Sequence, residues 1–172
     1  MTQRSSGGVV ETIKTVVYAL LIAIGIRSFL FEPFHIPSGS MIPTLLVGDY
    51  LFVAKYAYGY SRYSFPFSPN LFSGRILGSD PQRGDVVVFR KPTDVSEDYI
   101  KRIVGLPGDH LQMKEGILYI NNQAVKRERV ADYVDEGGHT SPQYIETLPN
   151  GVSHPILEGE GDNGPLDNTQ EF

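Results

Sequence analysis

Cysteine is absent from the chain, which excludes disulfides, thiolate nucleophiles and thiolate metal sites. The absence does not fix a compartment, because an oxidising space tolerates cysteine-free proteins. Basic residues are also missing from one end. Residues 132–172 hold nine acids and no Lys or Arg, whereas residues 1–131 hold all 15 Lys and Arg against 11 acids. The net charge of −5 therefore combines a basic first part with an acidic end. An acidic, Gly/Pro-rich end reads as a solvated loop region. No basic face stands out, so nucleic acid is not an expected partner. Repeats, Rossmann or P-loop glycine patterns and HExxH spacing are all lacking, and no metal or other cofactor is expected.

What is present fits one globular domain with an appendage. The only long apolar stretch lies near the N-terminus. Its uninterrupted core, Thr15 to Ile26, is flanked by Lys14 and Arg27, whose stems can carry their charges to two interfaces. With Ile13 before it and Phe29, Leu30 and Phe31 after it, the stretch is long enough to span a bilayer. A cleavable signal peptide would want small residues at a cleavage site, and residues 27–31 offer none. A buried amphipathic helix would want a polar face, and Val16 to Ile26 has almost none. An uncleaved anchor over residues 13–33 is the expectation, with a cytoplasmic N-terminus at residues 1–12. Arg4 and Lys14 favour that orientation, which puts residues 34–172 on the outer side.

Beyond Pro33, strand signals dominate. Asp49 to Lys55, Val86 to Phe89, and Tyr99 to Val104 read as strands. Leu111 to Met113 and Ile117 to Ile120 read as a hairpin around Lys114-Glu115-Gly116, and Ala124 to Arg129 as a further pairing strand. Tyr56 to Pro81 has no clean period and reads as a long loop. Arg83-Gly84-Asp85 reads as a turn before a strand and not as an adhesion motif. The expected class is mainly β: a transmembrane helix followed by an antiparallel β-sheet domain.

Pro37-Ser38-Gly39-Ser40-Met41-Ile42-Pro43-Thr44 sets two hydroxyls and a glycine between prolines, a stiff exposed turn. A serine there could be a nucleophile if another group accepts its proton. His35 is too close in sequence to fold back easily, while His110, His139 and His154 read as loop or surface residues. A lysine can serve as a base when desolvation or a nearby positive charge lowers its pKa. Lys101 is distinctive, because period-2 alternation places it between Tyr99 and Ile103 on one strand face. Spacing alone leaves open a strand-edge lysine reaching to water.

Three blocks, PSGSMIPTLLVGD (Pro37–Asp49), RGDVVVF (Arg83–Phe89) and YIKRIVGLPGD (Tyr99–Asp109), strongly resemble the boxes of bacterial type I signal peptidases. FEPFHIPSGSM (Phe31–Met41) resembles that family's run into its nucleophile. The resemblance covers roughly residues 9–130. It implies a fold of signal-peptidase type and a Ser–Lys endopeptidase, single-pass in the inner (cytoplasmic) membrane, with a periplasmic catalytic domain that cuts signal peptides from exported preproteins. Membrane lipid and the export translocon are the further partners it implies. Ser40 then corresponds to the nucleophile and Lys101 to the general base, while Ser38 and the Ser40 N–H form the oxyanion hole. Residues matching the substrate groove are Phe34, Ile36, Pro37, Met41, Leu45, Val88, Tyr99 and Ile100. The family's last box, GDNRDNS-x-DSR, is only echoed at Gly161-Asp162-Asn163-Gly164, and a C-terminally truncated form is expected. A membrane-anchored relative that binds preproteins without cutting them is the competing expectation, and a self-cleaving repressor-type peptidase a weaker third.

Overall fold

The computed structural model describes residues 7–70, 72–159, 164 and 166–172. Arg4 lies outside the described residues, and so do Gly161, Asp162 and Asn163 of the box echo. The architecture is mainly antiparallel β-sheet behind an N-terminal apolar helix. Two compact units divide the chain: residues up to Phe34 with Tyr50–Asp80, and His35–Asp49 with Pro81–Phe172.

In the first unit, α1 (Gly7–Phe29) is long and apolar enough to cross a membrane, and its apolar side chains are exposed all round. Its 23 residues make roughly 34 Å, about the thickness of a bilayer's hydrocarbon core. The helix stops before Pro33, which cannot donate to a helical hydrogen bond. The chain continues as β1 (Phe31–His35), paired with β2 (Tyr50–Ala54). Glu32 on β1 meets Arg27 at 3.0 Å and Lys55 at 2.8 Å. Among its described residues, the long segment after β2 carries a 3-10 turn, Arg62–Ser64, and an isolated bridge between Tyr60 and Ile76.

The second unit is built from short sheets. β3 (Val86–Lys91) and β4 (Asp94–Arg102) form a two-stranded ribbon. β4 starts earlier than Tyr99 because Lys91 pairs with Asp94 past an irregularity at Arg90/Lys91. β5 (Leu111–Lys114), β6 (Ile117–Ile120) and β7 (Gln123–Ala124) make a three-stranded meander. Glu115 and Gly116, both at positive φ, form the two-residue connection that the hairpin pattern anticipates. The segment ending at Phe172 covers the other edge of β5: Leu111 and Phe172 exchange backbone hydrogen bonds, and Thr169 N donates to the Met113 carbonyl.

The expected strand Ala124–Arg129 is two strands, β7 and β8 (Lys126–Arg129), which pair with different partners. The break falls at Val125, whose side chain turns into the core beside Ile120 and Leu148. Burial of that one apolar residue outweighs continuation of the charged strand.

The acidic end is not the solvated loop its composition suggests. It contributes β9 (Tyr133–Val134), β10 (Thr140–Ser141), β11 (Gln143–Thr147) and β12 (Ser153–Leu157). β11 lies between β12 and β8, with Glu146 opposite His154 on one side and Arg127 on the other. Glu146 and His154 are both buried, with His154 Nε2 3.4 Å from Glu146 Oε1. His154 is therefore a sheet residue, correcting its assignment to a loop. Burial pushes the Glu146 carboxyl up, against the nearby Arg127. Burial, and then the Arg102 charge, push His154 down. Both groups lean toward their neutral forms, as desolvation requires.

Asp109 pins the turn after β4. It accepts hydrogen bonds from Leu106 N, Asn121 Nδ2 and Arg83, which together lower its carboxyl to about 2. Leu148 is almost completely buried, and Leu148→Ala should cost about 2–5 kcal/mol in denaturant unfolding through lost burial and a cavity. A depressed carboxyl pKa stabilises the fold above its unfolded value, and that stability disappears as the pH falls through the folded value. Asp109→Asn should thus destabilise at neutral pH, with the difference from wild type vanishing as the pH drops from 3.8 toward about 2. Glu146, whose pKa is raised, has the opposite sign. Its stabilising contribution is lost as the pH rises above 4.5, so Glu146→Gln should gain on wild type in unfolding experiments from that pH upward.

Candidate active site

The two hydroxyls of the proline-bounded turn lie on and next to a 3-10 turn, Gly39–Met41. Ser38 precedes it in extended conformation and makes no side-chain cap, which leaves its hydroxyl for other partners. Met41 is buried and anchors the turn from below. On the approach, Ile36 is completely buried, and its backbone exchanges hydrogen bonds with Asp49 and Gly48. Apolar residues on both sides thus fix the turn while Ser38 and Ser40 remain exposed.

The ribbon of β3 and β4 supplies the partner. Lys101 Nζ donates a short hydrogen bond to Ser40 Oγ, although 61 positions separate the residues in sequence. Ser38 Oγ lies 3.4 Å from Ser40 Oγ on the other side. Lys101 pairs with Val87 across the ribbon and Tyr99 with Phe89, so all four share one face. The rings of Phe89 and Tyr99 meet edge to face at 6.2 Å, and Lys101 Nζ lies 5.6 Å from the centre of the Tyr99 ring. The lysine is half-buried, with an aromatic on its own strand face, as alternation anticipates.

The next residue braces the same turn from the other face of β4. Arg102 donates to the Gly84 carbonyl at 2.8 Å and reaches Thr44 Oγ1 at 3.4 Å. Gly84 has φ +99°, and a Cβ there would fall 2.7 Å from a Val152 methyl carbon. Only glycine suits both demands. Arg83 is occupied by Asp109 and the Val104 carbonyl, which fits the structural-turn reading of Arg83-Gly84-Asp85. Arg102 is held by these two contacts.

Of the eight groove positions, Ile36, Met41 and Ile100 are buried, which gives them a packing role beneath the surface. Val88 pairs with Ile100 across the ribbon, and Leu45 N donates to the Met41 carbonyl. Pro37 and Tyr99 are exposed, and Val88 and Leu45 are half-buried. Phe34 is half-buried in β1 and belongs to the other unit.

A cavity of about 600 Å³ adjoins Ser40 and Lys101. Its far wall comes from the acidic end: Tyr133, Asp135, Ser141 and His154 through Leu157. None of these residues was anticipated, and sequence spacing offers no handle on them. They belong to a region that reads as loop but forms two separate antiparallel pairings, β9 with β10 and β11 with β12. Among the described residues, no cluster of three or more potential metal ligands occurs.

A lysine amine hydrogen-bonded to an exposed serine hydroxyl, with a second hydroxyl alongside, is an arrangement able to support acyl transfer. Comparison with known proteins shows the family. Residues 9–160 match the family described as signal peptidase, peptidase S26. The chain is 49% identical over 144 residues to the signal peptidase I of Rickettsia canadensis (strain McKiel), an alignment covering 82% of this chain and 54% of that protein. Against that of Rickettsia massiliae (strain Mtu5) it is 49% identical over 141 residues, covering 80% and 53%. For Rickettsia typhi (strain ATCC VR-144 / Wilmington) the figures are 47% over 140 residues, covering 80% and 53%. The chain thus spans about half the length of these curated relatives. The family match runs from α1 through β12, across the serine turn, the lysine strand and the cavity wall, and the chain belongs to the S26 family of signal peptidases.

Proposed function

We propose that this chain carries the Ser–Lys machinery of a membrane-anchored endopeptidase that cleaves signal peptides from exported preproteins. The observation that supports it most is the hydrogen bond between Lys101 Nζ and Ser40 Oγ. In the charged state the ammonium donates to the hydroxyl. Once the amine is neutral, the direction reverses and the hydroxyl donates to nitrogen.

In that state Lys101 takes the Ser40 proton as Oγ attacks the scissile carbonyl. The resulting oxyanion is stabilised by the Ser38 hydroxyl and the Ser40 backbone N–H. When the tetrahedral species collapses, the C–N bond breaks and Lys101 passes its proton to the leaving amine. Ser40 is then an ester of the signal peptide. Water, deprotonated by the same amine, attacks that ester and restores the hydroxyl. Pro37, Leu45, Val88 and Tyr99, with the buried Ile36, Met41 and Ile100 beneath, form the groove that selects small residues at positions −1 and −3. Helix α1 holds the enzyme in the inner (cytoplasmic) membrane, with the N-terminus cytoplasmic, the catalytic domain periplasmic, and lipid and the export translocon as neighbours.

The competing reading is a relative that binds preproteins without cutting them. Incubation of the detergent-solubilised chain with a signal-peptide-bearing precursor separates the two. Cleavage that Ser40→Ala reduces by about 10⁴-fold or more supports catalysis, and intact precursor retained in a complex supports binding only. Lys101→Met should cost about as much as Ser40→Ala, and the double variant little more, because the two act as one unit. Ser38→Ala should lower kcat by roughly 10²–10³-fold with little change in KM, the effect of losing one oxyanion donor. Activity independent of Lys101 would contradict the assignment.

A further inference from the structure

We propose that Lys91 and Glu97 form a charged subsite that reads the side chain at position −5 of the precursor. The inference rests on the reading of Ser40 and Lys101 as the cleaving pair. It concerns two residues to which the cleavage chemistry gives no role.

Position along the strand is the first argument. Glu97, Tyr99 and Lys101 alternate on β4 and so share one face. Lys91 joins that face from β3: its Nζ lies 2.8 Å from Glu97 Oε2 and 5.4 Å from the centre of the Tyr99 ring. Lys101 Nζ lies 5.6 Å from the same ring. The Lys91–Glu97 pair therefore follows Tyr99 in a row that begins at the lysine bonded to Ser40. From Lys101 to Glu97 is about 13 Å at the rise of a strand. A precursor lying extended beside β4 has the same rise. With its −1 carbonyl at Ser40 and its signal side toward Tyr99, the residue four positions back, −5, stands over the ion pair. Alternation also puts −5 on the side of the chain that carries −1 and −3.

Chemistry is the second. The Lys91 and Glu97 side chains are 30% and 52% exposed, so a substrate can reach both. Bonding to Glu97, and then to the Tyr99 hydroxyl, pushes the Lys91 amine up, so its charge persists at neutral pH. An ammonium has three donors and a carboxylate several acceptor sites, so the pair keeps bonding capacity beyond its own contact. A side-chain amide, as in glutamine, can accept from Lys91 and donate to Glu97 at once. A large apolar side chain would cover both charges and compensate neither. On the opposite face of the ribbon, Arg90 Nε meets Asp98 at 3.2 Å, so those charges point away from the row.

Precursors with Glu, Lys, Gln or Leu at −5, and a second set with Glu or Lys at −4, test the subsite. Each would be cleaved by the detergent-solubilised wild type, Glu97→Lys, Lys91→Glu and the charge-exchanged double variant. Wild type should cleave the Gln precursor faster than the Leu precursor. Glu97→Lys should raise the kcat/KM ratio of Glu over Lys at −5 by about 2–5-fold, the effect of one exposed ion pair. Lys91→Glu should lower that ratio to a similar extent, and the double variant should return it to the wild-type value. Charges at −4, on the other side of an extended chain, should leave the ratio unchanged in every variant. An unchanged ratio at −5 with Ser40-dependent cleavage intact, or equal shifts at −4 and −5, would overturn the subsite and leave the cleavage reading standing. No Ser40-dependent cleavage of any precursor would remove that reading and the subsite with it.

Discussion

The contact between Lys101 and Ser40 depends on the pairing of β3 with β4. A lysine amine has a long flexible stem, and its default is solvent. Here the register Val87 to Lys101 and Phe89 to Tyr99 builds a face in which the stem lies beside an aromatic ring. One residue of slip would turn Lys101 to the opposite face and bring Arg102 to the serine in its place. Several features hold that register. The pairing continues past the strand ends through Ile103 and Asp85, and Gly84 leaves room for Val152 while its carbonyl takes Arg102. Asp109 and Arg83 then clamp the turn that follows.

The opposite faces of β4 therefore act on one turn. Lys101 reaches Ser40 from one side, and Arg102 reaches Thr44 four residues later from the other. Met41 beneath the turn and Ile36 before it supply the apolar hold that keeps two small hydroxyls at the surface. The electrostatic surroundings are consistent with this division. On the far side of the adjoining cavity His154 is pushed toward its neutral form by burial and by Arg102, which avoids a further cation near the lysine.

Much of this was legible in the residues. Period-2 alternation around Lys101, the apolar run of β3 and the hairpin signal at Glu115-Gly116 are local patterns, and each element formed as its pattern implies. The pairing of Ser40 with Lys101 came from family resemblance, since spacing alone left the lysine's direction open. The acidic end was misread because composition reports average solvation and says nothing of register. Glu146 and His154 are buried because β11 sets them opposite each other with Arg127 on the far side, a relation between strands that no local window contains. The continuous strand over Ala124–Arg129 failed for a similar reason: the burial of Val125 is set by Ile120 and Leu148, the latter more than twenty positions away.

The central claim is that Ser40 becomes covalently acylated with Lys101 as its base. Acid-quenching a reaction between the chain and a signal-peptide-bearing precursor, followed by peptide mass spectrometry, tests it most directly. A signal-peptide ester should appear on the fragment containing Ser40, and no such adduct in the Lys101→Met variant. Precursor cleavage with the acyl group on another residue, or an undiminished Ser40 adduct in Lys101→Met, would contradict it.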